Sequence, residues 1–134
     1  MTELVKEWVK KAEGDYRLAI LGIKNQDPAI FDGVCFHCQQ CAEKYLKALL
    51  VREQIHFEKK HDLIYCLNLL VENDSFLEFI REELRLLNDY AVDIRYPGDH
   101  ADLPEALEAI KTMKTVRKIL RSQLGLSIKK ARAR

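Results

Sequence analysis

Apolar residues recur every three to four positions along most of this chain, which is the spacing of one face of an α-helix. Over residues 3–24 the stripe is Leu4, Trp8, Ala12, Tyr16, Ala19 and Ile23; Thr2 stands where an N-cap is needed and Asn25-Gln26 ends the run. A second helix opens at Asp27-Pro28, a cap followed by proline at the first helical position, and continues past Gly33 through Val34, Cys38, Cys41, Tyr45 and Leu49 to about residue 54. A second row, Ala42, Leu46 and Leu50, widens its stripe and predicts the most buried helix. Residues 55–60 read as a loop. A third helix starts at His61-Asp62, carries Leu63, Leu67 and Leu70 on one face, and closes at Asn73-Asp74. Ser75 with Glu78 has the spacing of a capping box for a fourth, whose stripe is Phe76, Phe79/Ile80, Leu84, Leu87, Tyr90/Ala91 and Ile94. Pro97-Gly98 breaks the chain. Asp102, Pro104 and Glu105 then open a fifth helix with Leu103, Leu107, Ile110, Met113, Leu120 and Leu124 inward and Gly125 as its stop.

No segment alternates with period two for long enough to be a strand. The pattern therefore predicts an all-α fold, an up-and-down helical bundle of about five helices. Short loops predict antiparallel neighbours. The bundle would occupy residues 1–126, with 127–134 a basic, frayed C-terminal tail.

A chain of 134 residues suits one domain and buries enough surface for a core without staples. No apolar run approaches the ~20 residues that span a bilayer, and the charged N-terminus lacks a signal core, so the expected location is cytoplasmic, with the four cysteines reduced. The net charge of +1 hides an asymmetry: residues 1–108 hold 13 Lys/Arg against 21 Asp/Glu, and residues 109–134 hold 9 Lys/Arg and no acid. A basic end on an acidic body suits RNA or an acidic partner protein as well as a solvated helix whose cations complement its C-terminal dipole.

Cys35, Cys38 and Cys41 form C-x2-C-x2-C with His37 inside it. Steps of three along a helix trace a stripe rather than a tetrahedron, and the neighbours Val34, Ala42 and Tyr45 mark that stripe as core, where cysteine behaves as a small hydrophobe. No metal or other cofactor is expected. Gln40, Lys44 and Lys47 share one helix edge that can grip phosphate or form a solvated face with a Glu43–Lys47 pair. His61-Asp62 at a helix start can cap it or attract an anion. The sharpest constellation is Arg95-Tyr96-Pro97-Gly98-Asp99-His100. It puts a permanent cation and a titratable imidazole astride a helix break. Arginine can bind phosphate oxygens bidentately, and histidine can move a proton from a ribose 2′-hydroxyl without a metal. Spacing alone equally allows Arg95 to pair with Asp93 or Asp99 and His100 to be merely exposed.

Together, Trp8 with Ala12 and Asp15, the run from Cys38 to Leu50 (CQQCAEKYLKALL), Lys60-His61-Asp62-Leu63, and Arg95-Tyr96-Pro97 resemble the HEPN family (higher eukaryotes and prokaryotes nucleotide-binding) over nearly the whole chain. The resemblance implies a dimeric helical bundle; separately, helices 2 and 4 carry enough apolar surface for a self-complementary interface. The resemblance also implies a small nucleotidyltransferase partner in a toxin–antitoxin-like pair. Many members are metal-independent RNases with an arginine and a histidine four to six residues apart, a spacing that Arg95 and His100 fit. Ala101-Asp102 follows His100 where the best-known RNase branch has a polar residue and tyrosine, and Arg95-Tyr96-Pro97 looks more like the nucleotide-binding branch. Three functions follow: a nucleotide- or RNA-binding module whose cleft holds Lys44, Lys47, His61, Arg95 and Tyr96; an endoribonuclease using Arg95 and His100 and leaving 2′,3′-cyclic phosphate ends; or a non-catalytic dimeric scaffold.

Overall fold

A computed structural model describes residues 1–91 and 96–128. Among them the chain forms five α-helices and no strand: α1 (Glu3–Asn25), α2 (Phe31–Arg52), α3 (Leu63–Val71), α4 (Arg81–Asn88) and α5 (Leu103–Gln123). Two short 3-10 turns, Pro28–Ile30 and Ser75–Ile80, lead into α2 and α4. The sequence places the caps well. The Thr2 hydroxyl accepts from the Val5 N–H, and α1 stops at Gln26, which takes the left-handed conformation. Asp62 receives the Ile64 and Tyr65 N–H groups and Asp102 that of Glu105. Gly125 has φ +74°, a backbone that residues with a Cβ seldom adopt, and it ends α5 as expected.

α2 lies at the centre. Fifteen of its residues are buried, including Cys35, Cys38, Cys41, Tyr45, Leu46 and Leu50, and α1 and α5 cover it on two sides. Gly33 causes no break in it. Its two apolar rows are buried inside the monomer, which leaves Phe36 and Val51 as its partly exposed large apolar side chains. Trp8 of α1 meets Lys47 and Asp15 meets Lys44 and His37, so α1 and α2 run antiparallel. α3 departs from the antiparallel expectation. His61 enters beside Glu43 in the middle of α2, and Leu70 at the far end of α3 borders the same small cavity as Leu49. The connection from Glu53 to Asp62 is long enough to run back along α2 before the chain turns.

Four inward assignments fail for one reason: periodicity finds an apolar stripe but not what covers it. Leu4 and Leu107 are exposed, and so are Phe76 and Phe79, while Leu77 and Ile80 point inward. The fourth helix also starts differently. Asp74, not Ser75, caps the 3-10 turn by accepting from the Phe76 N–H, and Glu78 pairs with Arg81. The α-helix proper is only eight residues.

α1 and α2 come close together at Gly22, where an added Cβ would lie 2.7 Å from Val34 Cγ2. Val34 is β-branched and buried, so it cannot swing aside cheaply. Gly22→Ala is therefore expected to lower stability by roughly 1–2 kcal/mol from overpacking, although alanine gains about 1 kcal/mol in helix propensity. Thermal melting checks this; a rise in Tm would mean that the contact relaxes freely.

Candidate functional site

Three charged networks fasten α1 to its neighbours. In the first, Arg117 of α5 grips Glu13 with two parallel bonds of 2.7 and 2.8 Å, Tyr45 donates its hydroxyl to the same carboxylate, and Arg121 donates to Tyr45 at 2.8 Å. Arg117 also stacks over the Tyr16 ring at 4.2 Å. Burial alone would raise the Glu13 pKa. The bonds from Arg117 and Tyr45 and the charges of Arg117 and Arg121 outweigh it and hold the carboxyl below its ordinary range. In the second, Asp15 lies 2.7 Å from His37 Nδ1 and 2.5 Å from Lys44 Nζ. Its pKa too is lowered: burial opposes, and His37 and Lys44 prevail.

The third network surrounds Glu43, which is 2% exposed. Its carboxylate accepts from Gln39 at 3.1 Å and Lys47 at 2.8 Å and faces His61 Nδ1 at 3.0 Å. Gln40 donates to Gln39 at 2.7 Å. The Lys47 ammonium lies 5.7 Å from the Trp8 ring centre and 5.9 Å from that of Phe57. This network is the inner wall of an open cavity of about 610 Å³ between α1, α2 and the chain that precedes α3. Leu4, Trp8, Val51, Ile55 and Phe57 give it apolar and aromatic walls; Lys47 and Lys59 supply cations, and His56 and His61 add imidazole donors. His61 is the pivot, because its side chain is 65% exposed while its Nδ1 touches the buried Glu43. Flat apolar walls with cations on the rim suit a ligand with an aromatic body and an anionic end.

Of the five residues expected in one dimer cleft, the four that are described do not line a single cavity of this protomer. Lys47 and His61 line the cavity beside Trp8, while Lys44 is turned to Asp15 on α1. Gln40, on the same helix edge, is consumed by Gln39. Arg95 lies outside the described residues. Tyr96 is 82% exposed, and its carbonyl accepts from the Asp99 N–H across a turn in which Gly98 has φ +87°. His100 is exposed. The next residue, Ala101, is anchored by its N–H to Asp32 at 2.7 Å. Asp32 precedes Glu43 by 11 residues on α2, which at 1.5 Å per residue separates the His100 turn from the His61 cavity by roughly 16 Å.

Sequence reasoning missed Phe57, Lys59 and His56, because nothing local says that the loop folds back onto Trp8. It also missed Glu13 and Arg117. No local signal marks them: Val116 already continues the fifth apolar stripe between Met113 and Leu120, and the two partners stand far apart in the chain. The four cysteines are buried, the three of the C-x2-C-x2-C stripe as their helical neighbours implied. Burial pushes the Cys66 thiol up to about 12 and raises Cys38 and Cys41 as well, which makes them inert at neutral pH. Among the described residues no three His, Cys, Asp or Glu side chains are grouped to hold a metal ion. Among the same residues no helix is long and apolar enough to cross a membrane.

The HEPN domain model matches residues 5–123. Two solved structures share the fold. One is an archaeal HEPN homologue, ST0689, 24% identical, with a TM-score of 0.70 over 92% of this chain and 99% of that one. The other is TT1696 from Thermus thermophilus, 25% identical, with a TM-score of 0.70 over 91% and 99% of the two chains. No curated protein matches significantly.

Proposed function

The chain belongs to the HEPN domain family, and from that premise we propose that it binds a nucleotide, or a nucleotide unit of RNA, in the cavity between Trp8 and His61. One observation carries this: aromatic rings and exposed cations line the same 610 Å³ space. A base packs against Trp8, Ile55 and Phe57. The phosphates meet Lys59 and His61, with Lys47 behind them. Glu43 fixes the His61 ring and balances Lys47, so the inner wall presents little net charge and the rim presents the cations. In this reading the protein works in the cytoplasm as a homodimer, beside a nucleotidyltransferase partner in a toxin–antitoxin-like pair.

Trp8 is the only tryptophan, so its emission reports on the cavity directly. Titration with ATP, GTP or a short RNA should change it saturably. Removing the rim donors with Lys59→Ala and His61→Ala should weaken binding about tenfold each, the size of a lost hydrogen bond to a charged phosphate. The absence of any saturable change with all three ligands would sink the proposal.

A second reading keeps Arg95 and His100 as the working pair of a metal-independent endoribonuclease. What favours it is the solvent-facing His100, held one residue before the Ala101 N–H that Asp32 anchors and two before the capping residue of α5. An imidazole there is open to a large substrate.

A further inference from the structure

The outer face of α4 and α5 is dressed for a partner. Phe76 and Phe79 are 59% and 53% exposed and pack edge to face on each other, with ring centres 5.0 Å apart. With Ile119, Ile128 and Lys118 they border a groove of about 510 Å³. Leu86 on α4 and Leu107 on α5 are also exposed and add apolar surface to the same two helices. Exposed apolar surface of this kind marks an interaction site in a folded domain. Beside the groove runs a stripe of three exposed lysines, Lys111, Lys114 and Lys118, spaced three and four apart on α5. None of them has an ion pair among the described residues, and residues 109–134 contain no acid that could provide one. On α4 the cations are spoken for: Arg81 has Glu78 and Arg85 has Glu82.

We infer that this groove docks an amphipathic helix of another protein, with its apolar stripe on Phe76, Phe79 and Ile119 and its acidic edge along Lys111, Lys114 and Lys118. Charge decides the chemistry. Unpaired lysines on one rim call for carboxylates. RNA fits less well, because a phosphate backbone would leave the aliphatic side chains of Ile119 and the exposed Ile128 uncovered. A second copy of this chain fits less well too, since the acids its own α4 would bring are already neutralised by Arg81 and Arg85. Apolar side chains in a groove with a charged rim beside it suit helix-in-groove recognition. This docking face is separate from the nucleotide cavity and does not depend on it.

The test places a photo-crosslinking amino acid at Phe79 of the full chain in its cells of origin and identifies the captured segment by mass spectrometry. The expected product is a segment of a different protein with an apolar helical stripe and an acidic edge. The triple variant Lys111→Glu, Lys114→Glu, Lys118→Glu should lower its yield about tenfold or more, since like charges across an interface are strongly disfavoured. Changing the partner's acidic positions to lysine should restore it. These positions are exposed, so the melting temperature of the variant should stay within a few degrees. Crosslinking to RNA, to a second copy of this chain, or to nothing would overturn the inference. So would a yield that the charge reversal leaves unchanged.

Discussion

Arg117→Ala is expected to lower the stability of the bundle by about 3–5 kcal/mol, the usual cost of stripping a buried carboxylate of its partner. The Arg117 side chain is 6% exposed and that of Glu13 13%, so water cannot step in for the lost guanidinium. The variant would leave Tyr45 as the close donor to Glu13, with Arg121 at 3.8 Å. For a domain of this size the loss corresponds to a fall in Tm on the order of 10 °C. Replacing the pair together, Glu13→Leu with Arg117→Met, should recover much of it, because no charge is then left buried. The acid limb carries a second signature. A carboxyl with a lowered pKa stabilises the fold above the unfolded value of about 4.3, and that stability drains away as pH falls through the folded value. Glu13 and Asp15 both behave this way. The wild type should therefore lose stability steeply below about pH 4, and Arg117→Ala should show a shallower loss there. Melting curves from pH 7 to pH 3 measure both; a Tm within about 2 °C of wild type at neutral pH would mean the pair is idle.

How much of this was legible in the sequence depended on the range of the interactions. The caps at Thr2, Asp62, Asp102 and Gly125 follow from rules that act within a few residues, and the structure has each of them in place. The cysteine triplet was readable as core because its neighbours on the same helix settle the matter. The Lys44–Lys47 edge was not readable. Lys44 is claimed by Asp15, 29 residues earlier, and Lys47 lies near both Trp8 and Phe57, which come from distant parts of the chain. Phe76, Phe79 and Leu107 show the opposite limit. Their periodicity is that of a core stripe, and only the assembled bundle reveals that they stay exposed among the described residues.

The two functional readings part at RNA cleavage. Under the nuclease reading, purified protein in EDTA cuts RNA to 2′,3′-cyclic phosphate ends, and His100→Ala or Arg95→Ala each lowers the rate by about 10²–10⁴-fold. His100 would take the 2′-hydroxyl proton; the 2′-oxygen attacks phosphorus, the 5′-oxygen leaves with a proton, and Arg95 offsets the charge that builds on the phosphoryl oxygens. An unchanged rate in His100→Ala rules that mechanism out. The cavity variants separate the readings further. His61 faces Glu43 and His100 adjoins the Asp32 anchor, so the two lie roughly 16 Å apart along α2. A small nucleotide in the cavity cannot reach the His100 turn, whereas an RNA strand can touch both. If Lys59→Ala and His61→Ala raise KM for RNA while leaving kcat alone, the cavity is a holding site for the same strand that His100 cuts. If they abolish ATP or GTP binding and leave cleavage untouched, the two sites serve different ligands. If the wild type binds nucleotide and cuts nothing, the protein is a binding module, and the arginine–histidine spacing carries no chemistry in this chain.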